Sequence, residues 1–136
     1  MVLTMTNNAF FDTNIIVYFA TTSDAKSQVS EKIMRDGGLV SVQVLNEFVS
    51  VTRTKYKMPW PTLSTSLSCI RLICPVVPLT IATHERGIAV SEHYGYRIYD
   101  SMIIAAALLA GCTTLYSEDM HHGQVIDGMQ IVNPYQ

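Results

Sequence analysis

Four acidic residues stand far apart in the chain, each beside an apolar segment. Asp12 follows residues 8–11, Glu47 lies between Val44 and Val51, Asp100 precedes Ile103, and Asp119 comes soon after Leu115. Carboxylates are hard oxygen donors suited to Mg²⁺ or Mn²⁺, whereas zinc sites draw on His and Cys. Ions held in this way bind phosphates and lower the pKa of a bound water. Acids brought together without compensation repel: two unit charges about 4 Å apart cost roughly 4 kcal/mol at an effective dielectric near 20. Convergence of the four would therefore require bound cations or raised pKa values.

Each acid also has a plainer reading. Asp12 could equally be an Asx turn or a helix cap. Asp119, beside Glu118, taken alone reads as a solvated loop acid. Glu47 borders a helical stripe of Val44, Phe48 and Val51, with no basic residue within a turn, so it either serves a site or reaches water. Asp100 heads a helical face carrying Ile103, Ile104, Ala107 and Leu108. As its N-cap it would stabilise that helix by about 1 kcal/mol, and capping is compatible with ligation.

The elements that must position these acids alternate. Strands are expected at 8–11, 39–42, 76–77, 113–116 and 130–132. A helix should start at Ser23-Asp24 and run to Arg35, where Asp36-Gly37-Gly38 makes a turn. Others fit 43–57 (ended by Pro59-Trp60-Pro61), 62–73 (stopped by Pro75), 80–94 (finished at Gly95) and 100–110 (terminated by Gly111). Alternation of this kind implies α/β architecture, with a parallel sheet covered by helices on both faces. Ligands of such sheets gather beyond the carboxyl ends of the strands, where Asp12 and Asp119 both fall.

At 136 residues, 49% hydrophobic and 15% charged, the chain suits one folded domain and excludes disorder. A net charge of −2 excludes a generally basic nucleic-acid binder, but not a nuclease whose bound cations reverse the local sign. Three cysteines without CxxC spacing argue against a disulfide framework or zinc site and for reduced thiols. No basic-then-apolar leader begins the sequence, and its apolar runs stop short of the roughly 18 residues of a membrane span. The expected location is cytoplasmic.

The acids also sit within motifs. Phe11-Asp12-Thr13-Asn14-Ile15, Asn46-Glu47-Phe48, the run from Tyr99-Asp100-Ser101 to Ala107, and Leu115-Tyr116-Ser117-Glu118-Asp119-Met120 resemble, in order and spacing, the four motifs of PIN domains. In length the chain looks most like the VapC-type toxins of toxin–antitoxin pairs. The resemblance implies a parallel sheet of order 3-2-1-4-5, a homodimer, Mg²⁺- or Mn²⁺-dependent cleavage of RNA, and inhibition by a small antitoxin. Carried over by position, Asp12, Glu47, Asp100 and Asp119 are the catalytic and metal-binding acids, supported by Asn14 and Ser117. The stretch from Met120 through His121-His122-Gly123 to Gly128 departs from the short loop of many members and leaves Glu118 open as a substitute ligand.

Other readings compete. The adjacent His121 and His122 face different directions and suit a surface loop better than a chelating pair. A haloacid-dehalogenase-type phosphatase needs a second acid where this chain has Asn14, and no phosphate-binding loop occurs. Arg53, Lys55 and Lys57, with Tyr56 among them, read either as complements to a helix dipole or as a track for single-stranded RNA. A non-toxin RNA-processing nuclease is one alternative. Another is a binding module acting mainly through an antitoxin in a DNA-bound autoregulatory complex.

Overall fold

The computed structural model describes residues 8–22 and 24–136. The first seven residues, part of the start in which no leader is expected, and Ser23, half of the expected Ser23-Asp24 helix start, lie outside them. Strands β1 (Ala9–Phe11), β2 (Val40–Ser41), β3 (Val76–Val77), β4 (Thr114–Tyr116), β5 (Val125–Ile126) and β6 (Met129–Val132) are interleaved with helices. These are α1 (Thr13–Thr21), α2 (Ala25–Arg35), α3 (Val42–Thr54), α4 (Trp60–Ile73), α5 (Ile81–Tyr94) and α6 (Ile98–Leu109). Among the described residues no helix is long and apolar enough to cross a membrane.

β1 lies at the centre. Phe10 and Phe11 are both fully buried, and successive strand side chains point to opposite faces, so the sheet is covered on both sides there. β1 runs parallel to β4, with Phe11 opposite Tyr116, and β4 runs parallel to β6. β2 and β3 form a second parallel pair. A parallel bridge from Phe10 to Leu39 joins it to β1, through Phe11 N–H to Leu39 O and Leu39 N–H to Ala9 O, both 2.9 Å.

The expected all-parallel sheet of order 3-2-1-4-5 needs one correction. β5, which the sequence reading lacked, pairs antiparallel with β6, giving the order β1-β4-β6-β5. Its cause is local. Asp127 (φ 48°) and Gly128 (φ 86°) occupy the left-handed region, as a two-residue hairpin turn demands.

Helix ends follow side-chain chemistry. Asp24 caps α2 by accepting Ser27 N–H at 3.1 Å, and Ser41 caps α3 by accepting Val44 N–H at 3.2 Å. Thr80 and Thr83 form a reciprocal capping box at the start of α5, which ends on left-handed Gly95. Pro61 falls in the first turn of α4, where its missing N–H leaves no bond unmade, so α4 begins at Trp60 rather than 62. α6 begins at Ile98, capped by Arg97 without a side-chain hydrogen bond. Asp100 is therefore its third residue, not the N-cap expected, although a carboxylate in the first turn still suits the helix dipole.

Two glycines lie at close approaches, Gly38 against a rigid ring and Gly87 against the flexible end of a methionine. A Cβ on Gly38 would stand 2.5 Å from Phe11 Cζ, and one on Gly87 2.6 Å from Met102 Cε, where α5 lies against α6. Gly38 is thus more than the turn residue its sequence context suggests.

Candidate active site

The register of the sheet builds the first part of the site. Phe11 and Tyr116 are paired, so the residues that follow them leave the carboxyl ends of β1 and β4 side by side. Asp12 N–H donates to Tyr116 O at 2.9 Å, and Ser117 Oγ donates to Asp12 Oδ2 at 2.7 Å. The other oxygen, Oδ1, accepts Thr13 N–H at 2.7 Å, so Asp12 also caps α1. Its two sequence readings are compatible.

Thr13 links this corner to α3, where its hydroxyl donates to Glu47 Oε1 at 2.9 Å. Gln43, one turn earlier on α3, donates to Glu47 Oε2 at 2.8 Å. Glu47 is thus held at both oxygens by neutral donors rather than by a salt bridge. On the other side, Asn14 Nδ2 donates to Asp119 Oδ2 at 2.9 Å and to Glu118 Oε1 at 3.3 Å. Glu118 also pairs with Lys26 and accepts the Tyr18 hydroxyl. Lys26 in turn lies over the Tyr18 and Tyr135 rings. Its ion pair and hydrogen bonds hold the Glu118 carboxyl below the usual range despite partial burial. Glu118 is consequently committed to Lys26 and Tyr18 and orients Asn14, while Asp119 faces outward beside the other acids.

Electrostatics tie the four acids together. Asp12 is 7% exposed, and burial pushes its pKa up to about 6, against its two hydrogen bonds and with added repulsion from Asp100 and Glu47. Asp100 is also raised, by burial first; Arg97 lowers it, and Glu47 and Asp119 raise it. That arginine is 90% exposed with its Nε 3.9 Å from Asp100, so water screens much of its charge. These carboxylates are served mainly by Ser, Thr, Asn and Gln donors, with the exposed Arg97 as the compensating charge beside Asp100.

A model of the PIN domain matches residues 9–126. The chain belongs to the PIN-domain family. Its fold is similar to a toxin–antitoxin complex from Klebsiella pneumoniae, with TM-score 0.73 and 21% identity over 94% of this chain and 98% of that one. It is similar to the sarcin–ricin-loop-cleaving toxin VapC20 of Mycobacterium tuberculosis, with TM-score 0.67 and 17% identity over 82% and 89% of the two chains. It also resembles VapBC2 of Rickettsia felis, solved with a DNA fragment from its promoter, with TM-score 0.66 and 18% identity over 90% and 96%. A search of curated proteins found no match.

This PIN domain offers an oxygen-only donor set, and the fit to a metal can be tested on it. Among the described residues no three His, Cys, Asp or Glu side chains form a preformed cage. Such a cage is what zinc or calcium would require. Mg²⁺, by contrast, keeps several waters and binds through one or two carboxylates, the donor type that Asp12, Glu47, Asp100 and Asp119 supply. The residues therefore fit a hydrated hard cation.

Glu47 and Asp100 help to line a groove of about 660 Å³ between α3 and the first turn of α6. The basic residues expected to track RNA are not on it. Arg53 donates to Met58 O at 2.8 Å and stacks on Trp60, closing the connection to α4, and Lys55 lies over Tyr56. Lys57 has φ 54°, just beyond α3. The sequence reading missed Thr13 and Gln43 as holders of Glu47, and Lys26 as the partner of Glu118. Gln43 was legible as a residue one helical turn from Glu47; the other two act across 34 and 92 residues. His121 and His122 are exposed, as expected of a loop.

Proposed function

We propose that this PIN domain is a ribonuclease that hydrolyses RNA phosphodiester bonds with Mg²⁺ or Mn²⁺, and that it acts as the toxin of a pair restrained by an antitoxin protein. The observation that carries the first half is the coupling of Asp12, Glu47, Asp100 and Asp119 with so little compensating charge. The second half is supported by near-complete mutual coverage with a toxin–antitoxin complex. Assembly as a homodimer is carried with this reading.

One or two of Asp12, Asp100 and Asp119 would hold the cation directly and the rest through its waters; when bound it supplies Lewis acidity at the scissile phosphate and lowers the pKa of a water. Ser117 and Thr13 fix the two oxygens of Asp12, and Asn14 fixes Asp119. Glu47, anchored by Thr13 and Gln43, either adds a ligand for a second ion or orients the attacking water. Water oxygen bonds to phosphorus as the P–O3′ bond breaks, leaving a 5′-phosphate and a 3′-hydroxyl. Lys55 and Lys57, beyond the end of α3, would meet phosphates further along the strand.

The test uses protein freed of any partner. Single-stranded RNA should be cut with Mg²⁺ or Mn²⁺ and not in EDTA. Asp12→Asn and Glu47→Gln should each lose at least about a hundredfold while remaining folded. Cleavage that persists in EDTA overturns the metal reading. Harmless overproduction in the native host, without the neighbouring gene, overturns the toxin reading and leaves the nuclease standing.

A further inference from the structure

The groove beside the acids has a lining that metal binding does not explain. From α3 it receives Gln43, Asn46 and Ser50, spaced so that they share one face, and from the start of α6 it receives Arg97, Ile98 and Tyr99. Tyr99 is 65% exposed and takes no part in the hydrophobic core. Asn46 and Ser50 make no side-chain hydrogen bond among the described residues. An aromatic ring and a donor–acceptor amide thus face one space of about 660 Å³, within the size range of small-ligand sites.

Charge selects the ligand. Glu47 and Asp100 also line the groove, and without a bound cation they disfavour an anion against that wall. A flat, neutral, π-faced group with hydrogen-bonding edges suits the rest of the lining. Tyr99 and Ile98 provide surface for a ring face, and the Asn46 amide presents both a donor and an acceptor to a ring edge.

We propose that this groove binds one unstacked base of single-stranded RNA next to the cleaved bond, with Tyr99 as stacking platform and Asn46 as reader of the base edge. The proposal rests on the ribonuclease reading and adds to it where one base of the strand is held and which side chains hold it. Base-paired RNA keeps its bases stacked within the helix and cannot offer one to Tyr99. Arg97, at the groove's exposed end, meets the phosphate that follows the base.

The experiment measures equilibrium binding of a single-stranded RNA oligonucleotide and its duplex to Asp12→Asn protein in Mg²⁺, across a range of salt. Adding Tyr99→Ala should weaken single-strand binding about tenfold to a hundredfold, the effect of losing one base stack. The dependence on salt should be unchanged, because a base releases no counterion. Tyr99→Phe should restore binding, Asn46→Ala should alter preference among bases, and the duplex should bind weakly to every variant. Unchanged affinity in both Tyr99→Ala and Asn46→Ala overturns the proposal, as does an equal loss on duplex. If Tyr99→Ala instead releases only a protein inhibitor, the groove belongs to that partner and the proposal falls.

Cleavage assays separate this failure from failure of the ribonuclease reading. Protein with native Asp12 that cuts RNA with an unchanged KM in the Tyr99→Ala form refutes the base subsite alone. Protein that neither binds nor cuts RNA refutes both.

Discussion

Asp12 carries opposing demands. Its oxygens accept Thr13 N–H and Ser117 Oγ–H, which favour the carboxylate, yet burial outweighs them and raises its pKa to about 6. In metal-free protein the folded-state value therefore lies above the unfolded one, near 3.8. Stability from this group is fully present below pH about 4 and lost as the pH rises through about 6. Asp12→Asn removes the charge and keeps the bond from Thr13 N–H, while its Nδ2 would donate to Ser117 Oγ where the carboxylate accepts from it. In EDTA it should raise Tm at pH 8 and change it little at pH 4, as thermal unfolding will show. With Mn²⁺ the order should reverse, because only the parent gains from ion binding. An EDTA difference that is the same at both pH values contradicts this account.

Asp12, Glu47 and Asp100 stood out in the sequence because each lies at the edge of an apolar element, where an unpaired charge needs a reason, whereas Asp119 stood out only through its motif. Their supports were less legible. A hydroxyl such as Thr13 or a lysine such as Lys26 has many uses, and only tertiary contact decides among them. Asp100 was misjudged as a cap because the helix begins two residues earlier, at Ile98, without the side-chain cap that usually marks a start.

Among the elements, strands and helices that announce themselves by capping or glycine were read nearly in place: α2 behind Asp24 and α5 between Thr80 and Gly95. α1 was not. Ile15, Ile16, Val17, Tyr18 and Phe19 favour strands, and burial of Ile15, Ile16 and Val17 together with the Asp12 cap overrides that preference. β5 was missed although Asp127-Gly128 is a strong hairpin signal, because the strand that precedes the turn is only two residues long.

Contact between elements also depends on Gly38. Phe11 is fully buried and stacks on Tyr116 with centroids 6.0 Å apart, so its ring has little room to retreat from an added methyl. Gly38→Ala should cost about 1–3 kcal/mol in urea unfolding. It should also reduce the metal-induced rise in Tm, because Phe11 is bonded to Asp12. Loss of stability with an unchanged metal response would show that the site tolerates movement of β1.

Across the whole molecule, the apolar interior sets the chemistry of the thiols. Burial pushes Cys74 and Cys112 up to about 11, whereas Cys69 is exposed. Iodoacetamide at pH 7.5 should therefore modify one thiol in the native protein and three after unfolding, as read by intact mass. A second rapid modification of native protein would place an opening motion near α4 or β4.

The pairing of β1 with β4 has a consequence in time. Asp12 is bonded to Ser117, 105 residues later in the chain, and that bond can form only after everything between them has been made. At a synthesis rate of about 5–20 residues per second, the interval is about 5–20 seconds. Parallel pairing over such a separation is also slow to form once the parts exist. Throughout that period a growing chain carries the first acids without the last and has no assembled site. The topology thus acts as a delay: the carboxylates meet only with the closing of the sheet.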